Sequence, residues 1–166
     1  GFEGKDGVLG AYAGGGAGQS VCGGSEKRDG RYQARGVKSN LDWGDAPDPF
    51  YGMSDLIIDE LHVRGFTKHE SSGVEYPGTF AGLKEKIPYL KELGVNAVEL
   101  MPIFEFDEMK DSRIVDGRQV VDYWGYNTVS FFAPNTSYAG HAEYNREGTE
   151  LKELIKALNE NGIECI

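Results

Sequence analysis

FAGLKEKIPYLKELGVNAVELM, residues 80–101, decides the fold. Phe80, Leu83, Ile87, Leu90 and Leu93 recur at steps of three and four, which puts them on one face of a helix. Thr79 precedes the run and is suited to cap its free N–H groups. Gly94 follows it and can take the left-handed turn that ends a helix. Pro88 lies inside the run and lacks a backbone donor, so the spacing predicts a kink there. After Gly94 the pattern changes. VNAVELM (95–101) is short, apolar and partly β-branched, and reads as a buried strand.

Working outward, DLIIDELHV (55–63) is a second short apolar run and predicts a strand before the helix. TELKELIKALNENG (149–162) predicts a second helix. Leu151, Leu154, Ile155 and Leu158 form its buried stripe, and Asn161-Gly162 ends it. IECI (163–166) reads as the opening of a third strand. The order strand, helix, strand, helix, strand implies βαβ units and a parallel sheet. Three strands cannot close a barrel, so the chain reads as cut in mid-fold. A small open α/β domain fits the same spacing, and periodicity alone leaves both open.

Residues 1–52 differ in kind. They hold 14 of the 24 glycines, and AYAGGGAGQSVCGG is too glycine-rich for a long regular element. GRYQARGV (30–37) alternates weakly and could be a strand, while DWGDAPDPFYGMS (42–54) reads as an irregular linker. The expected division is 1–52 and 53–166.

Composition bounds the function. The 166 residues are 39% hydrophobic, enough for one domain with a core. A net charge of −10 disfavours nucleic acid and anionic membrane surfaces, but leaves a neutral ligand such as a sugar unaffected. No apolar run approaches the roughly 20 residues needed to span a bilayer. The first residues carry no basic start and apolar block of a secretory signal. Cys22 and Cys165 form neither a disulfide framework nor a metal cluster, and a reducing, cytoplasmic location is expected.

Ligands of parallel α/β folds bind beyond the C-terminal ends of strands. The connection that leaves the second strand runs from Pro102 to about Gly148, far longer than an ordinary loop. It contains DYWGYN (122–127). A pyranose has apolar C–H faces and a rim of hydroxyls. Aromatic rings cover the faces; carboxylates and amides bond the rim. DYWGYN offers both kinds of group, with Gly125 to bend the backbone, although Tyr123 and Trp124 could equally plug a barrel mouth. The acids of FEFDEMKD (Glu105, Asp107, Glu108, Asp111) could serve acid–base work or a hard cation, or be solvated; they lack EF-hand spacing. His62, His69 and His141 show no ligand spacing, and His62 reads as a core group. GGGAGQS lacks the lysine of a phosphate loop. Neither GxSxG nor HExxH occurs. No cofactor is implied.

LIIDELHVRGFT (56–67), PGTFAGLKEKIPYLKELGVNAVELMPIFEFDE (77–108), DYWGYNTVSFFAPNTSYA (122–139) and ELKELIKALNENGIECI (150–166) resemble the isoamylase and glycogen-debranching branch of the alpha-amylase superfamily, glycoside hydrolase family 13. GQSVCGG and RYQARGVKSNLDWGD resemble, more loosely, the segment before the barrel in those enzymes. The resemblance implies the first part of a (β/α)8 TIM barrel, about three strands and two helices, after the tail of a β-sandwich of carbohydrate-binding type. It implies retaining hydrolysis of α-1,6 branch linkages in glycogen, amylopectin or maltodextrin. Tyr126 matches the tyrosine that stacks on the glucose ring beside the scissile bond, and Trp124 stands beside it as a second substrate-binding residue. The catalytic Asp, Glu and third carboxylate of the family follow later strands, so no catalytic residue is expected within these 166 residues. Branching enzymes and trehalohydrolases share the superfamily, and a non-catalytic glucan-binding piece is the other reading. Asp59 stands where the family usually has Tyr; in a buried strand an unpaired carboxylate would cost several kcal/mol.

Overall fold

The computed structural model describes residues 12–13, 32–33, 40–45, 49–141, 143 and 146–166. Most of the glycine-rich stretch and of the weak strand at 30–37 lies outside them. Along the chain the elements are β1 (Tyr12–Ala13), β2 (Tyr32–Gln33), β3 (Ile58–Leu61), α1 (Val63–Thr67), α2 (Phe80–Glu85), α3 (Ile87–Leu93), β4 (Ala97–Leu100), β5 (Phe104–Phe106), β6 (Arg113–Val115), β7 (Arg118–Val120), β8 (Thr128–Pro134), α4 (Arg146–Glu160) and β9 (Glu164–Cys165). They fall into two compact units: Gly1–Lys38 with Phe104–Ala133, and Ser39–Ile103 with Pro134–Ile166. Among the described residues no helix is long and apolar enough to cross a membrane.

The second unit holds the parallel sheet. Its strand order is β3-β4-β9, and both pairings are parallel, with Ile58 opposite Ala97 and Val98 opposite Cys165. The Asn96 side chain fixes the start of this register: its Oδ1 accepts from Ile57 N at 2.7 Å and its Nδ2 donates to Asp55 O at 2.9 Å. Phe80, Leu83, Ile87 and Leu90 are buried as the periodicity predicts, together with Val98, Leu154, Leu158 and Ile163. Each such side chain contributes about 1.5–3 kcal/mol of burial.

Several expectations shift in detail. The first strand is shorter than 55–63: it pairs over Ile58–Leu61, and His62, still extended, caps α1, which begins at Val63; the His62 Nδ1 accepts from Gly65 N at 3.1 Å. Among the described residues β3 pairs with β4 on one side, Ile58 is 47% exposed and Asp59 is half-buried. The expected kink at Pro88 appears two residues earlier, as a break at Lys86 between α2 and α3. Pro88 then sits in the first turn of a new helix, where its missing N–H has no ladder bond to lose. Leu93, the last residue of α3 and expected on the buried face, is 55% exposed. Thr79 caps α2 and Gly94 ends α3 at φ 81°, both as the sequence indicates. α4 starts at Arg146, three residues before the expected start.

α4 buries a charge as well as leucines. The Glu150 carboxylate accepts from Gly140 N (2.7 Å), His141 N (3.0 Å) and His141 Nδ1 (2.7 Å), and Arg146 lies 3.7 Å away. These donors offset the loss of hydration. The segment they hold carries Tyr138, a fully buried ring set edge-on to Phe80 and His62, with the Arg64 guanidinium 5.3 Å from its centre.

Two glycines on helices test how far propensity governs stability here. A Cβ on Gly82 would lie 2.1 Å from Tyr76 O, because Thr79 Oγ1 donates to that carbonyl (2.7 Å) and accepts from Gly82 N (3.1 Å), drawing the chain against α2. A Cβ on Gly148, in α4, would meet nothing within 4 Å. Urea denaturation should therefore show opposite signs for one chemical change. Gly82→Ala is expected to lose about 2–3 kcal/mol through overpacking, and Gly148→Ala to gain about 0.5–1 kcal/mol.

Candidate functional site

The connection after β4 is more ordered than its length in sequence suggests. β5 pairs with β8, and the Phe104 and Phe131 rings lie 5.9 Å apart across the pair. Between them β6 and β7 form an antiparallel hairpin in which Ile114 faces Gln119. Its turn is Asp116-Gly117, with φ of 49° and 75°, the geometry of a two-residue hairpin turn. An Asp-Gly pair between alternating residues was the signal for it, passed over when the segment is read as one loop. At the base, Asn135 N donates to Ile103 O at 2.7 Å.

DYWGYN follows this hairpin. Asp122 N donates to Glu108 O (2.9 Å), and Asp122 Oδ1 accepts from Trp124 N (3.1 Å). Gly125 is buried with φ 83°, a backbone that side chains resist, so the bend expected of this glycine is present. The bend leaves Trp124 54% and Tyr126 67% exposed. Tyr123 packs edge-on to Trp124, with ring centres 5.0 Å apart at 82°. The two residues expected to bind substrate thus share one short exposed loop, and Tyr123 supports rather than extends it. Asn127 Nδ2 lies 3.2 Å from Asp111 Oδ2 and 3.5 Å from Asp122 Oδ2, an arrangement that no motif in the sequence announces.

Of the other candidates, Asp111 reaches this loop through Asn127, and Glu108 through its backbone carbonyl. Glu105 is buried, Asp107 and Glu108 are half-buried, and Asp111 is exposed, so the acids of FEFDEMKD stand in different environments. Among the described residues no group of three or more His, Cys, Asp or Glu could hold a metal ion. His62 and His69 both accept from backbone N–H groups as helix caps, and His141 bonds Glu150. These are structural tasks, as expected of His62.

Cys165 on β9 is an unlinked thiol, and burial pushes its pKa from 9.0 to about 11. A thiol held protonated is a poor nucleophile. With Cys22→Ser to remove the other thiol, iodoacetamide at pH 8 should alkylate native Cys165 about a hundredfold more slowly than the urea-unfolded chain, following the thiolate fraction. Equal rates, read by mass spectrometry, would show an open thiol.

Comparison with known proteins adds the family to this geometry. A family model described as "Alpha amylase, catalytic domain" matches residues 45–166. Isoamylase 1, chloroplastic, of Arabidopsis thaliana is 46% identical over 119 residues, which cover 69% of this chain and 15% of the relative. The "Glycogen operon protein GlgX homolog" of Mycobacterium tuberculosis (strain ATCC 25618 / H37Rv) is 41% identical over 129 residues, 76% of this chain and 18% of that one. The crystal structure of pullulanase type I from Bacillus subtilis, complexed with maltose, superposes with a TM-score of 0.67 at 30% identity, covering 80% of this chain and 20% of that one. The chain therefore spans less than a fifth of the length of these curated relatives. The pullulanase likeness resolves the choice between an open sheet and a barrel: β3, β4, β9 and their helices correspond to the first part of a TIM barrel. On the family match, the identities and the shared fold, this chain belongs to the alpha-amylase family, within the branch of the isoamylase and pullulanase debranching enzymes.

Proposed function

We propose that this chain supplies part of the substrate-binding side of a retaining α-1,6-glucosidase acting on branched α-glucans such as glycogen, amylopectin and maltodextrin. The observation that carries this reading is the pair of exposed rings, Trp124 and Tyr126, presented on either side of Gly125. An exposed ring forgoes burial, and a sugar's C–H face restores it. Tyr126 is the platform beside the scissile bond and Trp124 the neighbouring contact. The relatives' names favour debranching over the branching-enzyme and trehalohydrolase readings, and a pullulanase structure complexed with maltose supports an α-glucan ligand.

In a retaining mechanism one carboxylate attacks the anomeric carbon while a second protonates the leaving oxygen. We assign neither role to any of these 166 residues. What this chain does is bind and orient: the rings fix the sugar's face, which sets the direction of attack. Residues 1–52 are proposed as the end of a carbohydrate-binding-like region and 53–166 as barrel. Two lone cysteines favour a reducing compartment; the relatives named chloroplastic add the plastid to the cytoplasm as its location.

Two outcomes follow. Incubated with glycogen, the 166-residue chain should release no reducing ends; clear release by the pure chain would overturn the assignment. The matched segment, exchanged into Arabidopsis isoamylase 1, should support hydrolysis. In that chimera Tyr126→Ala should lower kcat/KM about tenfold or more, from loss of a stacking contact of about 1–2 kcal/mol. Unchanged kinetics would make Tyr126 a packing residue only.

A further inference from the structure

The first and last residues of DYWGYN meet through their side chains. Asn127 Nδ2 faces Asp122 Oδ2 at 3.5 Å and Asp111 Oδ2 at 3.2 Å. A side-chain amide carries two N–H hydrogens, so a single nitrogen can serve both carboxylates, one hydrogen each. Asp122 is used twice more: Oδ1 accepts from Trp124 N at 3.1 Å, and its own N–H donates to Glu108 O at 2.9 Å. Asp111 lies two residues before β6, at the entry to the hairpin. The bonds therefore close the six-residue loop on itself and tie it to the hairpin.

We propose that Asp111, Asp122 and Asn127 form a positioning clamp that holds Trp124 and Tyr126 as a preformed sugar platform without touching the sugar. This rests on the reading of those rings as glucan contacts. Three features point to it. Gly125, between the rings, has more backbone freedom than any other residue type, so the loop's shape must be imposed from outside Gly125 itself. The two rings are 54% and 67% exposed, so bonds within the loop bear on how they are held. The clamp joins both ends of the hexapeptide, and it joins them across the glycine. Ordering the platform before sugar arrives removes a cost that binding would otherwise carry.

The electrostatics make the clamp testable. Two carboxylate oxygens converge on one amide nitrogen here, so the donor can be removed, or the polarity of the whole set reversed, by isosteric exchanges. Asn127→Asp keeps the shape and replaces the shared donor with a third negative group. The triple change Asp111→Asn, Asp122→Asn, Asn127→Asp reverses every donor and acceptor. It leaves two amides facing one carboxylate, and position 122 keeps an oxygen for Trp124 N.

The experiment has a part without ligand and a part with it. In the 166-residue chain carrying Trp43→Phe, Trp124 is the remaining tryptophan of the two, and its fluorescence anisotropy reports the order of the loop. Asn127→Asp should lower the anisotropy and the triple change should restore it. In the isoamylase chimera Asn127→Asp should raise KM for branched glucan about tenfold with kcat within about twofold, and the triple change should return KM to within about twofold of the parent. Unchanged anisotropy in Asn127→Asp, or a triple variant as mobile as the single one, overturns the clamp. Altered anisotropy with unaltered KM overturns instead the role of the rings in sugar binding, and with it the positioning role.

Discussion

Parallel pairing of β3, β4 and β9 is the constraint on which the rest depends. Strands that run the same way cannot be joined by tight turns, so the chain must return to its starting end after each one. Two returns are made within these residues. The first uses α1, α2 and α3; the second uses the long excursion and then α4. Helices placed on such returns have one side available for burial, and the leucines of α2, α3 and α4 fill it. The same geometry gathers the chain's irregular segments after strand ends, where no ladder needs their side chains. Chemistry is free to occupy them.

The barrel portion was legible because its signals are local and repeated. The 80–101 stretch shows helical spacing, a cap, a stop and a change of period within one glance; the structure keeps the cap, the stop and the change of period, and divides the helix at Lys86. Its errors are equally physical. Periodicity carries no information about what lies beside a strand, so it could not tell that Asp59 is half-buried rather than enclosed. Nor could it see a buried Glu150, whose compensation comes from backbone N–H groups of Gly140 and His141 ten and nine residues away. The proline was recognised as a disruption, but where a helix yields depends on which turn can give up a bond most cheaply, and that was Lys86.

Of the candidate site, the rings and the bend were readable and their support was not. Tyr126 and Trp124 stand out by type, and Gly125 by its place between them. The amide of Asn127 reaching an aspartate sixteen residues earlier leaves no periodic trace. Whether the acids of FEFDEMKD act together was likewise undecidable from order alone, since β5 sends Glu105 inward while Asp111 remains outside. The exposed bonds of this loop are individually weak. Their effect comes from number on a short segment, a quantity that composition does not display.

The hydrogen bond from Asn135 N to Ile103 O closes the base of the excursion that begins at β5 and ends with β8. A stretch whose ends are already fastened behaves as a cassette. Lengthening it adds only the entropy of a larger closed loop, about 0.6 kcal/mol per doubling. Hairpin length and loop chemistry can thus change at small entropic cost while the chain still returns from Ile103 to Asn135.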